Sequence, residues 1–484
     1  TDRDTSSDDL LQAARNWEES GDWGRAIDSY LSIGDHHIKN LAALEEIWEK
    51  AVRIASHHSQ SRVLEVTREV AGRLNKLKRY EGAGDLYREI EMFEESVHAY
   101  ISGACWKKAK TLVEHDAPKY RQLVENAREN HMADTGDAHG LVRSGNVVAG
   151  LDILAQKGDW DKVFDLCTEQ APERGAFYAA QYASQLVQDG KNNEAIHVLG
   201  RFGGDPDENN FSLYKGMIQE FFGRTRKQLS SGGAGNDTVA LTADMRKMLY
   251  GLVQAMKGGV DEGKSSGGNS GALKYFERAL LVAHYMSMQN EFKARKHESE
   301  AAKVAISLLR FCGVIPADRA FYEAGVACKE MNWLSMGFVF FNHYLDLSEA
   351  IEEGDASMID NSDFVGTDIP APFDYALPKV QYLGEDKREE VRDWVLQVSM
   401  NNSVEQVLDT RHCVKCSESV YSASLTCPSC RTQSDPDILT GFPITDKLVT
   451  CQSCSSKSSK VSWNALVATT AECPWCLAPA KPIY

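Results

Sequence analysis

The sequence predicts a mostly α-helical protein, an array of helical repeats followed by a small α+β metal-binding module at the C-terminus. Three observations carry that expectation. The phrase Gly-Asp-Trp recurs at residues 21–23 and 158–160, the chain between is amphipathic at helical spacing with 13 Pro in 484 residues, and eight of the 12 Cys fall within residues 413–476. A chain of this length exceeds one ordinary core, so several domains or an extended repeat array is expected rather than one compact enzyme domain. The 53 Lys and Arg against 70 Asp and Glu leave a formal charge of -17, which disfavours a nucleic-acid or anionic-membrane surface and points to protein partners. No apolar run approaches the roughly 18 residues that a bilayer span needs. The sequence opens at Thr1 on polar TDRDTSSDD rather than on Met and an apolar h-region, so no signal peptide is read and a piece of a longer protein is suggested.

In residues 1–345 the repeated phrase resembles the turn and second helix of a tetratricopeptide repeat. Gly ends one helix in a left-handed cap, the aromatic fills the elbow, and apolar residues at helical spacing pack the next helix on the last. Looser copies stand at 79–87, 93–100, 106–112, 190–199 and 333–341, which makes the array a degenerate solenoid. Cys105, Cys167, Cys312 and Cys328 lie singly in helical pattern and are expected as core thiols. Two Gly/Ser-rich stretches, 230–238 and 258–271, are expected as loops. Residues 346–384 form an acidic, Pro-containing strap, with nine acids and no Lys or Arg between Asp346 and Asp374. Composition alone makes it a solvated linker, and the sharper reading lays its acids along a basic groove of the solenoid or of a partner. A connecting helix within 385–410 presents Val391, Trp394, Val395 and Val398 on one face.

The tail, 411–484, carries four CxxC pairs: Cys413 and Cys416, Cys427 and Cys430, Cys451 and Cys454, Cys473 and Cys476. A CxxC turn aims two thiolates at one ion and tetrahedral zinc takes two such turns, so four pairs supply two structural zinc sites with no open position. Disulfides and redox dithiols are the competing readings, and the βαβ setting of a thioredoxin-like motif is absent. Sequential pairing gives the quartets 413/416/427/430 and 451/454/473/476, and a cross-brace would mix them. From Cys413 onward six Lys or Arg face five Asp or Glu, and the thiolate sites add negative charge, so no basic stripe for nucleic acid exists. No Walker loop, GxSxG or HExxH occurs, and the 13 His are scattered.

LTGFPI at 439–444 resembles the first loop of a U-box, CPWC at 473–476 the closing loop of a RING, and 461–467 the central helix between them. In that register Cys451, Cys454, Cys473 and Cys476 match the second RING metal site, and the first site lacks its ligands, as in U-boxes where polar contacts replace the ion. The resemblance implies a surface for a ubiquitin-conjugating enzyme or ubiquitin at Ile444, Trp463 and Pro474. Leu477 stands where a polar or basic orienting residue often follows the last cysteine, which implies binding more than turnover. The competing expectation is a cap with these three residues buried against the helix within 385–410.

FYEAG at 321–325, FFNHYLDLSEAIEEG at 340–354, SDF at 362–364, TDIP at 367–370, REEVRDWV at 388–395 and LTGFP at 439–443 together resemble the C-terminal part of the largest, coat-like subunit of intraflagellar transport complex B. That resemblance implies a non-enzymatic scaffold at the cilium or flagellum and its base, within the cytoplasm, whose solenoid binds other train subunits. A RING- or U-box-type ligase, with the solenoid as its substrate-binding arm, is the alternative, and at most weak ligase activity is implied.

Overall fold

The computed structural model describes residues 7–231, 236–261, 269–400 and 404–484. Among them 22 α-helices alternate with short turns, and four three-residue strands are confined to the tail. The chain divides into two compact units, Thr1–Ala171 and Pro172–Tyr484. Within the second unit the tail packs on helices that precede it by more than a hundred residues.

In each unit helices pack chiefly on their neighbours in sequence, as a repeat array requires. One local device recurs at ten elbows among the described residues. A residue with positive φ, two positions before the next helix begins, stands at Gly21, Lys78, Glu91, Ala104, Gly136, Gly145, Gly158, Gly190, Lys296 and Asn332. Each elbow is a Schellman cap. At the first, Gly21 N–H donates to Glu18 O at 3.2 Å and Asp22 N–H to Trp17 O at 3.1 Å, so the outgoing carbonyls are satisfied and the chain reverses. The 6→1 bond is 2.8 Å at Arg79, 2.9 Å at Met92, 2.8 Å at Cys105 and 2.9 Å at Trp333. Half of the elbows therefore hold a side chain where glycine is the least strained residue.

The core of the first unit is continuous from Ala14, Ile27 and Tyr30 through Trp48, Val66 and Val70 to Leu86 and Tyr87, and a second cluster joins Val97, Tyr100, Leu112 and Val113. Cys167, Cys312 and Cys328 are buried and Cys105 is half-buried. Of the two stretches expected as loops, 232–235 and 262–268 lie outside the described residues. Their flanks are helical, since helices span Asn236–Asp261 and Asn269–Ala294. No helix of the described residues is long and apolar enough to cross a membrane.

The acidic strap is not a solvated linker. Its first eight residues complete the helix Leu334–Glu353, which ends on Gly354 at φ 71°. The rest runs over the second unit, with Ile359, Phe364, Ile369, Tyr382 and Leu383 buried. Phe364 lies 5.3 Å from Phe321, and Tyr382 N–H donates to the buried carboxylate of Asp318 at 2.7 Å. Apolar anchors rather than a basic groove hold the strap, and its acids remain largely at the surface. The helix Glu385–Ser399 then buries Val391, Val395 and Val398 and sets Trp394 at 5.1 Å from Phe341.

Candidate metal centres and the docked tail

Each CxxC pair forms the tip of a tiny hairpin. Strands Thr410–His412 and Ser419–Tyr421 flank the first, Thr426 bridges Gln433 across the second, strands Leu448–Thr450 and Lys457–Ser459 flank the third, and Glu472 bridges Pro479 across the fourth. The residue after the second cysteine turns left-handed in all four, with φ of 61° at Ser417, 59° at Arg431, 58° at Ser455 and 60° at Leu477. That turn returns its N–H to the carbonyl of the first cysteine at 3.0 Å at Ser417 and 2.9 Å at Leu477. Both thiols of a pair thereby face the same side.

The hairpins meet in sequential pairs. Cys413, Cys416, Cys427 and Cys430 form one tetrad and Cys451, Cys454, Cys473 and Cys476 the other, with all sulfurs of a tetrad within 4.8 Å. Across the pairs the Sγ–Sγ distances are 3.6 Å for Cys413–Cys430, 3.7 Å for Cys416–Cys427, 3.9 Å for Cys451–Cys476 and 3.8 Å for Cys454–Cys473. A tetrahedron with Zn–S bonds of about 2.3 Å has edges of about 3.8 Å, so the donor set fits a tetrathiolate ion. All 12 thiols are free, and a disulfide would bring two sulfurs to about 2.05 Å. The thiols also conflict electrically. The hydroxyl and backbone of Thr432 hold Cys430 down to about 6, and burial pushes Cys473 up to about 12. Four adjacent sulfurs cannot all ionise alone, and a dication removes that conflict.

Between the tetrads, the loop 435–444 closes on a buried carboxylate. Asp437 accepts from Leu439 N–H at 3.0 Å, Thr440 Oγ1 at 3.0 Å and Ser458 Oγ at 2.7 Å. Helix Lys460–Thr470 follows, capped by Ser459.

Two arginines, Arg246 and Arg310, hold this module to the helices through backbone carbonyls, and a third, Arg319, packs under the strap. Arg246, 7% exposed, donates from Nη2 to Pro474 O and Trp475 O at 2.6 Å each, and from Nε to His284 Nδ1 at 3.0 Å. His284 carries its proton on Nε2, bonded to Ile438 O at 2.8 Å, and burial followed by the neighbouring Arg246 pushes its pKa down to about 3. Arg310 donates to Ala423 O at 2.9 Å and Gly441 O at 2.5 Å. Arg319 reaches Phe222 O at 2.8 Å beneath Tyr382. Asp368 of the strap accepts from the N–H groups of Leu425 and Thr426.

The three residues expected as one exposed apolar patch are not presented as one. Trp463 is 3% exposed, packed with Val449, Cys451, Val467 and Cys473, and its Nε1–H is bonded to Lys481 O at 3.1 Å. Pro474 is buried where its carbonyl meets Arg246, and Ile444 is half-buried. The covering element also differs from the expected cap, because Pro474 meets Arg246 of helix 236–261 and the adjacent Trp475 meets His284 of helix 269–294. Arg246, His284 and Arg310 escaped sequence reasoning. Their signal was weak: a lone Arg or His within an otherwise apolar helical stretch.

No protein-family model matches the chain. Among curated proteins it is 35% identical over 458 residues to the intraflagellar transport protein 172 homolog of Rattus norvegicus, covering 94% of this chain and 25% of that protein. It is 34% identical over 458 residues to the homolog of Homo sapiens, with the same coverage. To intraflagellar transport protein 172 of Chlamydomonas reinhardtii it is 33% identical over 448 residues, covering 91% of this chain and 24% of the relative. The chain thus spans about a quarter of the length of the curated relatives it matches.

Proposed function

Because the chain belongs to the intraflagellar transport protein 172 family, we propose that it is the C-terminal part of an intraflagellar transport subunit working as a scaffold in the cilium or flagellum. The observation that carries this reading is the homology, which runs through helices, strap and tail alike. Helical repeats suit the role, since stacked pairs offer a large continuous surface without a pocket. Other subunits of the transport complex are the partners, bound through the repeats. The tail is a zinc-closed module with one structural Zn2+ in each tetrad, where the ion supplies the cross-link that so small a core lacks. A tagged chain expressed in ciliated cells is expected to enter cilia and to co-purify with intraflagellar transport proteins, and elemental analysis is expected to give two zinc ions per chain. A chain excluded from cilia that captures none of those proteins overturns the scaffold reading, and fewer than two ions overturns the metal reading.

A ubiquitin-related role is a second reading, supported by the Asp437–Thr440–Ser458 network, since the U-box resemblance of 439–444 implies polar contacts in place of a first RING ion. With Pro474 covered beside Arg246 it requires the tail to leave the helices, and Trp463, packed in the module's own core, adds no surface to it. Ubiquitin titration by NMR is expected to shift Ile444 only in variants whose tail is released. Shifts of equal size in the docked protein would show that another surface is used.

A further inference from the structure

The knuckle of the second tetrad has two faces. Its inner face is the pair of N–H groups of Trp475 and Cys476, both aimed at the sulfur of Cys473. Its outer face is the pair of carbonyls of Pro474 and Trp475, both held by Nη2 of Arg246 at 2.6 Å. These are the two ends of the same two peptide groups. No cis peptide occurs among the described residues, and in a trans peptide the N–H and C=O point in opposite directions. Each peptide dipole therefore lies between a thiolate at its positive end and a guanidinium at its negative end, the arrangement in which all three charges reinforce one another.

Arg246 is fixed from behind. Its Nε donates to His284, whose neutral ring passes its own N–H to Ile438 O at 2.8 Å and meets the ring of Trp475 edge-on at 4.9 Å. Tyr250, one turn along from Arg246, closes the other side of Trp475 at 5.9 Å. The first tetrad has no such enclosure at its first knuckle, where Val414 is 79% exposed and Cys416 is exposed.

We propose that Arg246 latches the tail to the helices through the Cys473–Cys476 knuckle, so that metal occupancy of the second tetrad and docking of the tail are thermodynamically coupled. A tetrathiolate ion of net charge -2 fixes the peptides that Arg246 grips, and Arg246 neutralises part of that charge from a buried position. Loss of the ion frees the knuckle, breaks both carbonyl contacts and leaves a buried cation unpaired, which favours release of the tail. By linkage, undocking loosens the ion by the same factor. The two zinc sites therefore differ in their docking: the Cys473–Cys476 knuckle is gripped by a buried cation of the helices, and the Cys413–Cys416 knuckle of the first tetrad is open to solvent.

This inference rests on the zinc reading above, and the test separates the two. The full chain is loaded with zinc, its metal counted, and release to a chromophoric chelator followed in time, with Cys413→Ser/Cys416→Ser identifying the phase that belongs to the second tetrad. In parallel, hydrogen exchange is followed at residues 436–444 and in helix 236–261. Arg246→Met is expected to speed release from the second tetrad at least tenfold, to leave the first unchanged, and to raise exchange at 436–444. Arg246→Lys, which keeps the charge and loses the fork to two carbonyls, is expected to fall between. Unaltered release from the second tetrad in Arg246→Met overturns the coupling. If that variant fails to fold, the wild-type arm decides: stripping the metal must raise exchange in both segments, and unchanged exchange overturns the proposal. A wild-type chain that binds no zinc overturns the zinc reading itself, which the metal count shows before any variant is compared.

Discussion

Acidification should weaken the packing beneath the strap through one histidine. His343 is 3% exposed, its Nδ1–H donates to the carbonyl of Asp360 at 3.1 Å, and its ring lies 4.2 Å from Phe321 and 4.8 Å from Phe364. Burial pushes its pKa down from 6.5 to about 4. The native state therefore refuses a proton that the unfolded state accepts, so the stability present above pH 6.5 is lost as pH falls through the folded value. Between about pH 7.5 and pH 5 the loss works out at about 2 kcal/mol. The wild-type profile alone does not isolate this. Asp346, one turn away, is pushed up to about 6 by burial and then by Glu349, Asp360 and Asp363, so it gains a proton on acidification and acts in the opposite direction. The decisive quantity is the difference from His343→Gln, whose amide keeps a donor and does not titrate. Hydrogen exchange of the amides in helix 334–353 gives the opening free energy of each protein at both pH values. Wild type is expected to lose about 2 kcal/mol more than the variant. Parallel profiles would refute the buried neutral imidazole as the source of the effect.

Four further substitutions probe the backbone. Gly158 has φ 74° with nothing near its missing Cβ, so Gly158→Ala should cost about 1 kcal/mol, and Ala104→Gly, at φ 53°, should stabilise by roughly 0.5–1 kcal/mol; chemical denaturation followed by circular dichroism of the folded chain measures both. A Cβ on Gly325 would lie 2.6 Å from the ring of Phe341, which Trp394 braces from behind, so Gly325→Ala should destabilise the second unit by roughly 1–3 kcal/mol in the same assay. A Cβ on Gly441, at φ 75°, would lie 2.7 Å from Ser307 Cβ and 2.9 Å from Arg310 Nη2, so Gly441→Ala should raise exchange in 436–444 with little change at the elbows of the first unit.

The repeats were legible because their elbows have a fixed chemistry. Gly21 and Gly158 with their following Asp and Trp show a cap, a helix start and a core aromatic in three residues. Lys78, Glu91, Ala104, Lys296 and Asn332 make the same turn without glycine, so only the aromatic or apolar residue that follows betrays them, and the spacing looks irregular. The tetrads were legible for a related reason, since CxxC fixes both the turn and the direction of two donors. The strap was half legible. Nine acids state its solubility, but its path depends on Phe364, Ile369 and Tyr382, single apolar residues whose sockets lie in helices distant in sequence. The stretches around 230 and 260 read as loops from their Gly and Ser content, yet helix runs into both flanks because neighbouring helices bury Leu241, Met245, Leu252 and Phe276.

The arginines explain why the tail looked like a separate domain from its sequence and packs as part of the second unit. Charge patterning finds cations through the carboxylates beside them, and Arg246 and Arg310 answer to carbonyls instead, 228 and 113 residues further along the chain. A carbonyl belongs to every residue, so no side chain marks the partner. The energetic consequence runs against separability. A guanidinium taken out of water is costly unless its donors are met, and four carbonyls of the tail meet the donors of these two. The helices are thus built around the tail as much as the tail is built around its cysteines. Docked in this way the tail module keeps a fixed orientation on the helices of the second unit, and any partner that needs its covered face must first displace Arg246 from two carbonyls and Arg310 from two more.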